Sequence, residues 1–166
     1  MKKSLTLIQM DVHVNDVEYN YNHVQELLTQ SLSESPDIIV LPETWNTGFY
    51  PSTDLINIAD NNGDRTKALL SAFAKEHNVN IVGGSVAVAK DNLVFNTSYV
   101  YNRNGELVGE YSKMHGFSPA KEDKYFASGT HTTHFELDGI PCSTIICYDI
   151  RFPELVRMAA LPGTEL

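Results

Sequence analysis

The 166-residue sequence predicts an α/β layered fold with a mixed sheet. Three observations carry this. Apolar runs of strand length alternate with two stretches of helical period in the first half. Residues 37–41 (Asp-Ile-Ile-Val-Leu) form the continuous apolar run of a strand buried on both faces. Hairpin turn signals then replace the helices, which adds antiparallel pairs to a parallel start.

The elements follow in order. Residues 4–10 read as a first buried strand. Asn15 opens a capping box with Glu18, and the helix behind it carries Val17, Tyr21, Val24, Leu27 and Leu28 on one face. Ser35-Pro36 breaks the chain before the strand at 37–41. A second amphipathic helix spans about 63–77, with Leu69, Leu70, Phe73 and Ala74 inward. Residues 79–89 and 93–102 read as strands. Arg103-Asn104-Gly105 turns the chain into a strand over 106–111, since Asn-Gly supplies positive φ angles. A long polar loop covers 112–129, and 132–137 with 140–147 form a hairpin about Asp138-Gly139. A last helix runs from about 152 to 160. The residues after it, Thr164-Glu165-Leu166, read as the approach to a further strand, so the sheet-and-helix alternation is unfinished.

Composition excludes some partners. The formal charge is −9 with no basic stripe, which disfavours nucleic acid and anionic membrane surfaces. No apolar run approaches the ~18 residues of a membrane span. Met1-Lys2-Lys3 and the apolar residues behind it imitate a signal peptide, but Asp11 ends the stretch early and no small-residue cleavage site follows. Cys142 and Cys147 fall five apart on one predicted strand. They would point to opposite faces roughly 17 Å apart, too far to bridge. Free thiols without an export signal imply the cytoplasm.

Cys147 opens Cys147-Tyr148-Asp149-Ile150-Arg151-Phe152-Pro153-Glu154, where an apolar strand gives way to a Pro-initiated helix. Backbone rigid on both sides suits a nucleophile; a small buried core cysteine is the plainer reading. A free thiol with a pKa of about 8.5 is only a few per cent ionised at pH 7. Moving it to about 6 takes roughly 3 kcal/mol. A lysine ammonium about 4 Å away supplies on the order of 4 kcal/mol at an effective dielectric of ~20, so one lysine would suffice, or a general base would act during attack. Glu43 and Lys113 also stand at strand ends, where open α/β sheets build sites. Their alternatives are a solvated loop carboxylate and a surface lysine. His131 and His134 face opposite sides of a strand and do not make a metal pair. No phosphate loop or dinucleotide fingerprint is present.

Leu41-Pro42-Glu43-Thr44, Tyr111-Ser112-Lys113-Met114-His115-Gly116-Phe117 and the Cys147–Glu154 segment resemble, in order, the three signatures of the nitrilase superfamily of carbon–nitrogen hydrolases. Asn46-Thr47-Gly48-Phe49, Ile81-Val82-Gly83-Gly84-Ser85 and Phe95-Asn96-Thr97 are similar to family segments as well. The likeness is strongest to bacterial ω-amidase-like members. It implies a Glu43–Lys113–Cys147 triad, a cysteine thioester intermediate, and an oxyanion held by Lys113 and the backbone N–H of Tyr148. Glu122 matches a second family glutamate that orients the lysine and the substrate amide; the alternative is one more charge on a solvated Lys-Glu-Asp-Lys run. Arg151 either pairs with a substrate carboxylate or braces the helix start through Asp149 or Glu154.

By this resemblance the substrates are a small linear amide, such as a 2-oxo acid ω-amide, and water. No cofactor or metal is implied, and the full-length family form is a homo-oligomer. The implied fold is the first part of a four-layer α-β-β-α sandwich. Residues 1–166 would then form a single domain incomplete at the C-terminus. Gly116 departs from the bulky apolar residue usual in the family, which is expected to loosen the loop carrying Lys113. The alternative to a thiol amidase is a truncated, inactive remnant that acts as a binding or oligomerising fragment. A half-sandwich would expose the inner face of its sheet.

Overall fold

The computed structural model describes residues 2–50 and 52–166; Met1, at the head of the signal-like start, lies outside the described residues. In chain order the elements are β1 (Leu5–Leu7), α1 (Val17–Ser31), β2 (Ile38–Val40), α2 (Leu55–Ile58), β3 (Asp60–Asn61), α3 (Asp64–His77), β4 (Asn80–Val82), β5 (Val86–Lys90), β6 (Leu93–Tyr101), β7 (Leu107–Ser112), α4 (Glu122–Tyr125), β8 (His134–Leu137), β9 (Ile140–Ser143) and α5 (Pro153–Ala160). Among the described residues, β1 to β7 join one sheet and β8–β9 form a separate hairpin. β1, β2 and β4 run parallel in adjacent register, with Leu5 opposite Ile38 and Ile38 opposite Asn80. β6 runs antiparallel to β4, β5 and β7. The sheet is mixed, as the sequence predicts.

Tyr21, Val24 and Leu28 of α1 and Leu70, Phe73 and Ala74 of α3 pack on Ile39, Ile81, Tyr99 and Tyr101 of the sheet. Each fully buried Leu here contributes about 2–3 kcal/mol of burial energy. The opposite face carries Ile38 and Val100, and the β8–β9 hairpin covers it with Leu137 and Cys142. That hairpin closes part of the face a half-sandwich would bare. Leu5 and Leu7 on the edge strand stay exposed at 42% and 71%. Glu165 N–H donates to Pro141 O at 2.8 Å and Ser143 N–H to Leu166 O at 3.0 Å, so the final residues run alongside β9.

Five elements differ from expectation. The strand expected to be buried over 4–10 is the short edge strand β1, with Leu5 and Leu7 exposed because nothing pairs its outer side among the described residues. The α1 N-cap is Asp16, whose carboxylate accepts from Tyr19 N–H at 3.1 Å, and not Asn15. Asn15 instead adopts a left-handed φ of 62°, which Asn tolerates, and Glu18 pairs with Arg65 of α3. The strand expected over 79–89 divides into β4 and β5 at Gly83-Gly84. The strand expected over 140–147 ends at Ser143, and Cys147–Arg151 form a 3₁₀ turn. The long loop at 112–129 contains a second 3₁₀ turn, Ser118–Ala120, and α4.

Candidate active site

The break between β4 and β5 builds the seat of Glu43. Gly84 has a φ of +59°, and a Cβ there would lie 2.0 Å from Pro42 O, so only glycine lets the two segments meet. Ser85 then clasps the chain around Glu43. Its N–H donates to Pro42 O at 3.0 Å, its Oγ accepts from Thr44 N–H at 3.0 Å, and its carbonyl accepts from Trp45 N–H at 3.2 Å. Trp45, fully buried, donates its indole N–H to Gly83 O at 3.0 Å. The carboxylate of Glu43 is thereby fixed at the end of β2 and lies largely buried.

Lys113 follows β7 directly. Its N–H donates to Asn96 O of β6 at 2.8 Å, and Gly129 N–H donates back to Lys113 O at 2.8 Å. The side chain is buried and its ammonium bridges two carboxylates, Glu43 Oε1 at 2.8 Å and Glu122 Oε2 at 2.7 Å. Glu122 is only 1% exposed and also accepts from Phe117 N–H at 2.6 Å. It is therefore part of this cluster and not a solvated charge, and Lys113 is not a surface lysine. Asn96 Nδ2 donates to Glu43 Oε1 at 3.0 Å and reaches Glu122 Oε1 at 3.4 Å. Gly116 does not leave the loop slack, because a Cβ there would already meet Asp123 N of α4 at 3.1 Å.

Cys147 begins the 3₁₀ turn with a φ of +47°, a left-handed conformation rare for a side-chain-bearing residue. It is exposed, which rules out the buried-core reading. Cys147 and Glu43 line one cleft of about 190 Å³ together with Ser85, Thr144 and Ile146. The N–H of Tyr148 falls in the first turn, where helical N–H groups have no intrahelical partner. A larger cavity of about 440 Å³ over β5, β6 and β7 includes none of these residues.

Asp149 holds this turn in place. Fully buried, it accepts from Ile146 N–H at 3.1 Å, Tyr111 O–H at 2.7 Å, and His115 through its N–H at 3.0 Å and Nδ1 at 2.8 Å. One carboxylate thus ties the end of β7, the Lys113 loop and the Cys147 turn. The His115 ring stacks on Phe152 at 3.6 Å. Tyr111 is raised well above the usual phenol range by burial, then by its bond to Asp149.

Burial alone would lower the Lys113 ammonium, but its bonds to Glu122 and Glu43 outweigh that and raise it. The thiol is partly desolvated even though the residue is exposed. That burial, with the charge and hydrogen bonding of Glu43, pushes Cys147 up to about 11 against a smaller lowering by Lys113. Of the two alternatives, ionisation by one lysine and a general base acting during attack, the second fits better. Lys113 is shared by two carboxylates, and it lowers the thiol less than burial and Glu43 raise it.

The structure brings Lys113 into hydrogen-bond contact with Glu43 and Glu122 and sets Cys147 in one cleft with Glu43; Tyr148 follows it in the 3₁₀ turn. Arg151 is exposed, and among the described residues it pairs with neither Asp149 nor Glu154, so the bracing reading fails. Asn96 was assigned no role from the sequence and Asp149 only that of a partner to Arg151; both carry the site, and His115 shapes the Lys113 loop, as its place beside that lysine suggests. Their motif context, Phe95-Asn96-Thr97 and Cys147-Tyr148-Asp149, was the only available signal. Among the described residues no group of three or more His, Cys, Asp or Glu is arranged to hold a metal ion.

The carbon–nitrogen hydrolase family model matches residues 4–166. The chain is 38% identical over 166 residues to 2-oxoglutaramate amidase of Bacillus subtilis, covering all of this chain and 63% of that protein. It is 30% identical over 178 residues to a chloroplastic omega-amidase of Arabidopsis thaliana, covering 99% of this chain and 47% of the relative. The crystal structure of a CN-hydrolase superfamily protein from Xanthomonas campestris superimposes with a TM-score of 0.81 at 29% identity, covering 93% of this chain and 57% of the other. An amidase from Nesterenkonia sp. shares the fold, with a TM-score of 0.83 at 21% identity over 99% and 64% of the two chains. The chain spans less than two thirds of the length of the curated relatives it matches. With the fold and three ordered motifs in agreement, the chain belongs to the carbon–nitrogen hydrolase family of the nitrilase superfamily.

Proposed function

We propose that this protein is a thiol amidase that hydrolyses a small linear amide, of the 2-oxo acid ω-amide class, to the acid and ammonia. The observation that carries the reading is the Lys113 ammonium held between Glu43 and Glu122 at 2.8 and 2.7 Å, with Cys147 across the same cleft from Glu43. A thiol near 11 is neutral at physiological pH, so attack requires a base to take its proton as the C–S bond forms. Glu43 is that base. Lys113 and the Tyr148 N–H hold the oxyanion, which preorganised donors stabilise best. Glu43 returns the proton to the departing amine, ammonia leaves, and a thioester remains on Cys147. Glu43 then draws a proton from water, the hydroxide attacks the thioester, and the acid is released with the thiol restored. Glu122 keeps Lys113 aimed throughout.

The 2-oxoglutaramate amidase relative supports the substrate class, and exposed Arg151, four residues past Cys147, suits the distal carboxylate of such a substrate. The intact charge cluster favours an enzyme over a non-catalytic remnant. The two unpaired cysteines fit a reducing cytoplasm, and among the described residues no helix is long and apolar enough to cross a membrane. Exposed Val156, Met158 and Leu161 on and beside α5 fit a homo-oligomer. The test is ammonia release from 2-oxo acid ω-amides. The protein releases it and Cys147→Ala does not; equal release by both would overturn the assignment.

A further inference from the structure

Two carboxylates and one ammonium leave the buried cluster one negative charge in excess, so something must decide which carboxylate stays tied and which acts. The donors divide unevenly. Glu122 accepts from Lys113 and Phe117 N–H on one oxygen and faces Asn96 with the other. Glu43 receives both of its donors, Lys113 at 2.8 Å and Asn96 at 3.0 Å, on Oε1 alone. Among the described residues no N–H group donates to its Oε2. Asn96 is 1% exposed, its amide oxygen has no partner, and its own carbonyl holds the Lys113 backbone. Besides Asn96, the groups facing Glu43 are Lys113 after β7, Glu122 on α4 and Cys147 on its turn.

We propose that Asn96 is a positioning residue for the thiol amidase reaction: its amide pins Glu43 by one oxygen so that the other is presented to Cys147. The inference rests on the amidase reading above. A carboxylate held at a single oxygen cannot rotate its free oxygen away from the cleft without breaking two hydrogen bonds. Asn96 also spans the gap between the carboxylates with a neutral donor, where a second cation would compete with Lys113 for Glu43. It acts through Glu43 and touches no reacting atom.

The test compares wild type, Asn96→Ala and Asn96→Asp, with circular dichroism to confirm folding. It reads ammonia release per folded molecule and the pH midpoint of Cys147 alkylation by iodoacetamide. Asn96→Ala is expected to lower kcat about 10-fold or more with KM changed less than about 3-fold, since a freed Glu43 loses alignment and not substrate contacts. Asn96→Asp keeps the shape but adds a third carboxylate, so thiolate formation moves to higher pH than in wild type. Folded variants with kcat within about 2-fold of wild type, a change confined to KM, or an unmoved alkylation midpoint in Asn96→Asp would each overturn the inference. Wild-type protein that releases no ammonia would overturn the amidase reading alone, and the alkylation arm still decides the placement of Asn96.

Discussion

Asp149 accepts twice from His115, from its backbone N–H at 3.0 Å and its ring Nδ1 at 2.8 Å. His115 lies two residues past Lys113, and Asp149 two residues past Cys147. The pair therefore ties the loop that carries Lys113 to the turn that carries Cys147. Buried carboxylates are costly unless every lone pair is used, and four donors converge on this one. Asp149→Asn places an NH₂ against groups that are themselves donors. We expect a loss of about 2–4 kcal/mol, read as a lower urea midpoint with an unchanged slope.

Thiol titration should follow the charges around it. Burial and then Glu43 raise Cys147 to about 11, while Lys113 lowers it. Removing the charge in Glu43→Gln should shift the alkylation midpoint downward, and Lys113→Met should shift it upward. Iodoacetamide rates between about pH 7 and 12 read both. Shifts of the same sign in both variants would mean that the charge balance is misassigned.

Backbone space is just as specific. At Gly84, a methyl group would collide with Pro42 O at 2.0 Å and with Leu41 O at 2.5 Å while forcing a residue other than glycine to a φ of +59°. Gly84→Ala should cost roughly 2 kcal/mol or more and displace Glu43. The expected result is a lowered melting temperature together with loss of ammonia release. Full stability and activity would show that the Pro42–Ser85 clasp is dispensable.

A charge network away from the site gives the fold its acid sensitivity. Asp138 at the β8–β9 turn accepts from Arg103 at 2.8 and 2.7 Å and from Lys3 at 2.8 Å. Arg103 first, against burial, and then Lys3 hold its carboxyl well below the usual range. A depressed carboxyl stabilises the fold above its unfolded pKa of about 4, and that stability is lost as pH falls toward the folded value. Asp138 is partly exposed, so screening limits the contribution to about 1–2 kcal/mol. Asp138→Asn should lower the neutral-pH melting temperature and flatten its fall below about pH 4.

How far the sequence reached depends on range. The α1 and α3 faces were legible because one periodicity decides which residues meet the sheet: Tyr21, Val24, Leu28, Leu70 and Phe73 are all buried. The strand ends at Glu43 and Lys113 were legible because apolar runs stop abruptly there. What escaped depends on approach between distant segments. The Gly83-Gly84 break looks like one continuous strand until Pro42 is known to press on it. Apolar Ile145 and Ile146 read as strand, yet the chain leaves the β8–β9 ladder at Ser143. Residue types left open whether Lys113 ionises the thiol or a general base acts during attack, because that depends on how many carboxylates share the lysine, and no spacing rule reveals this. Asn96 was unassigned, and Asp149 was read only as a partner of Arg151, for the same reason, since their partners lie 26–53 and 3–38 residues away.

The central claim is that Cys147 carries the acyl group, with Glu43 moving the protons. Intact-protein mass spectrometry during turnover of a 2-oxo acid ω-amide tests it most directly. The protein should gain one acyl mass at Cys147, formed with release of one ammonia and removed by hydroxylamine as a thioester requires. Glu43→Gln should form the adduct far more slowly, and Cys147→Ala should form none. Ammonia release by a Cys147→Ala protein, or an acyl adduct on any other residue, would contradict the account.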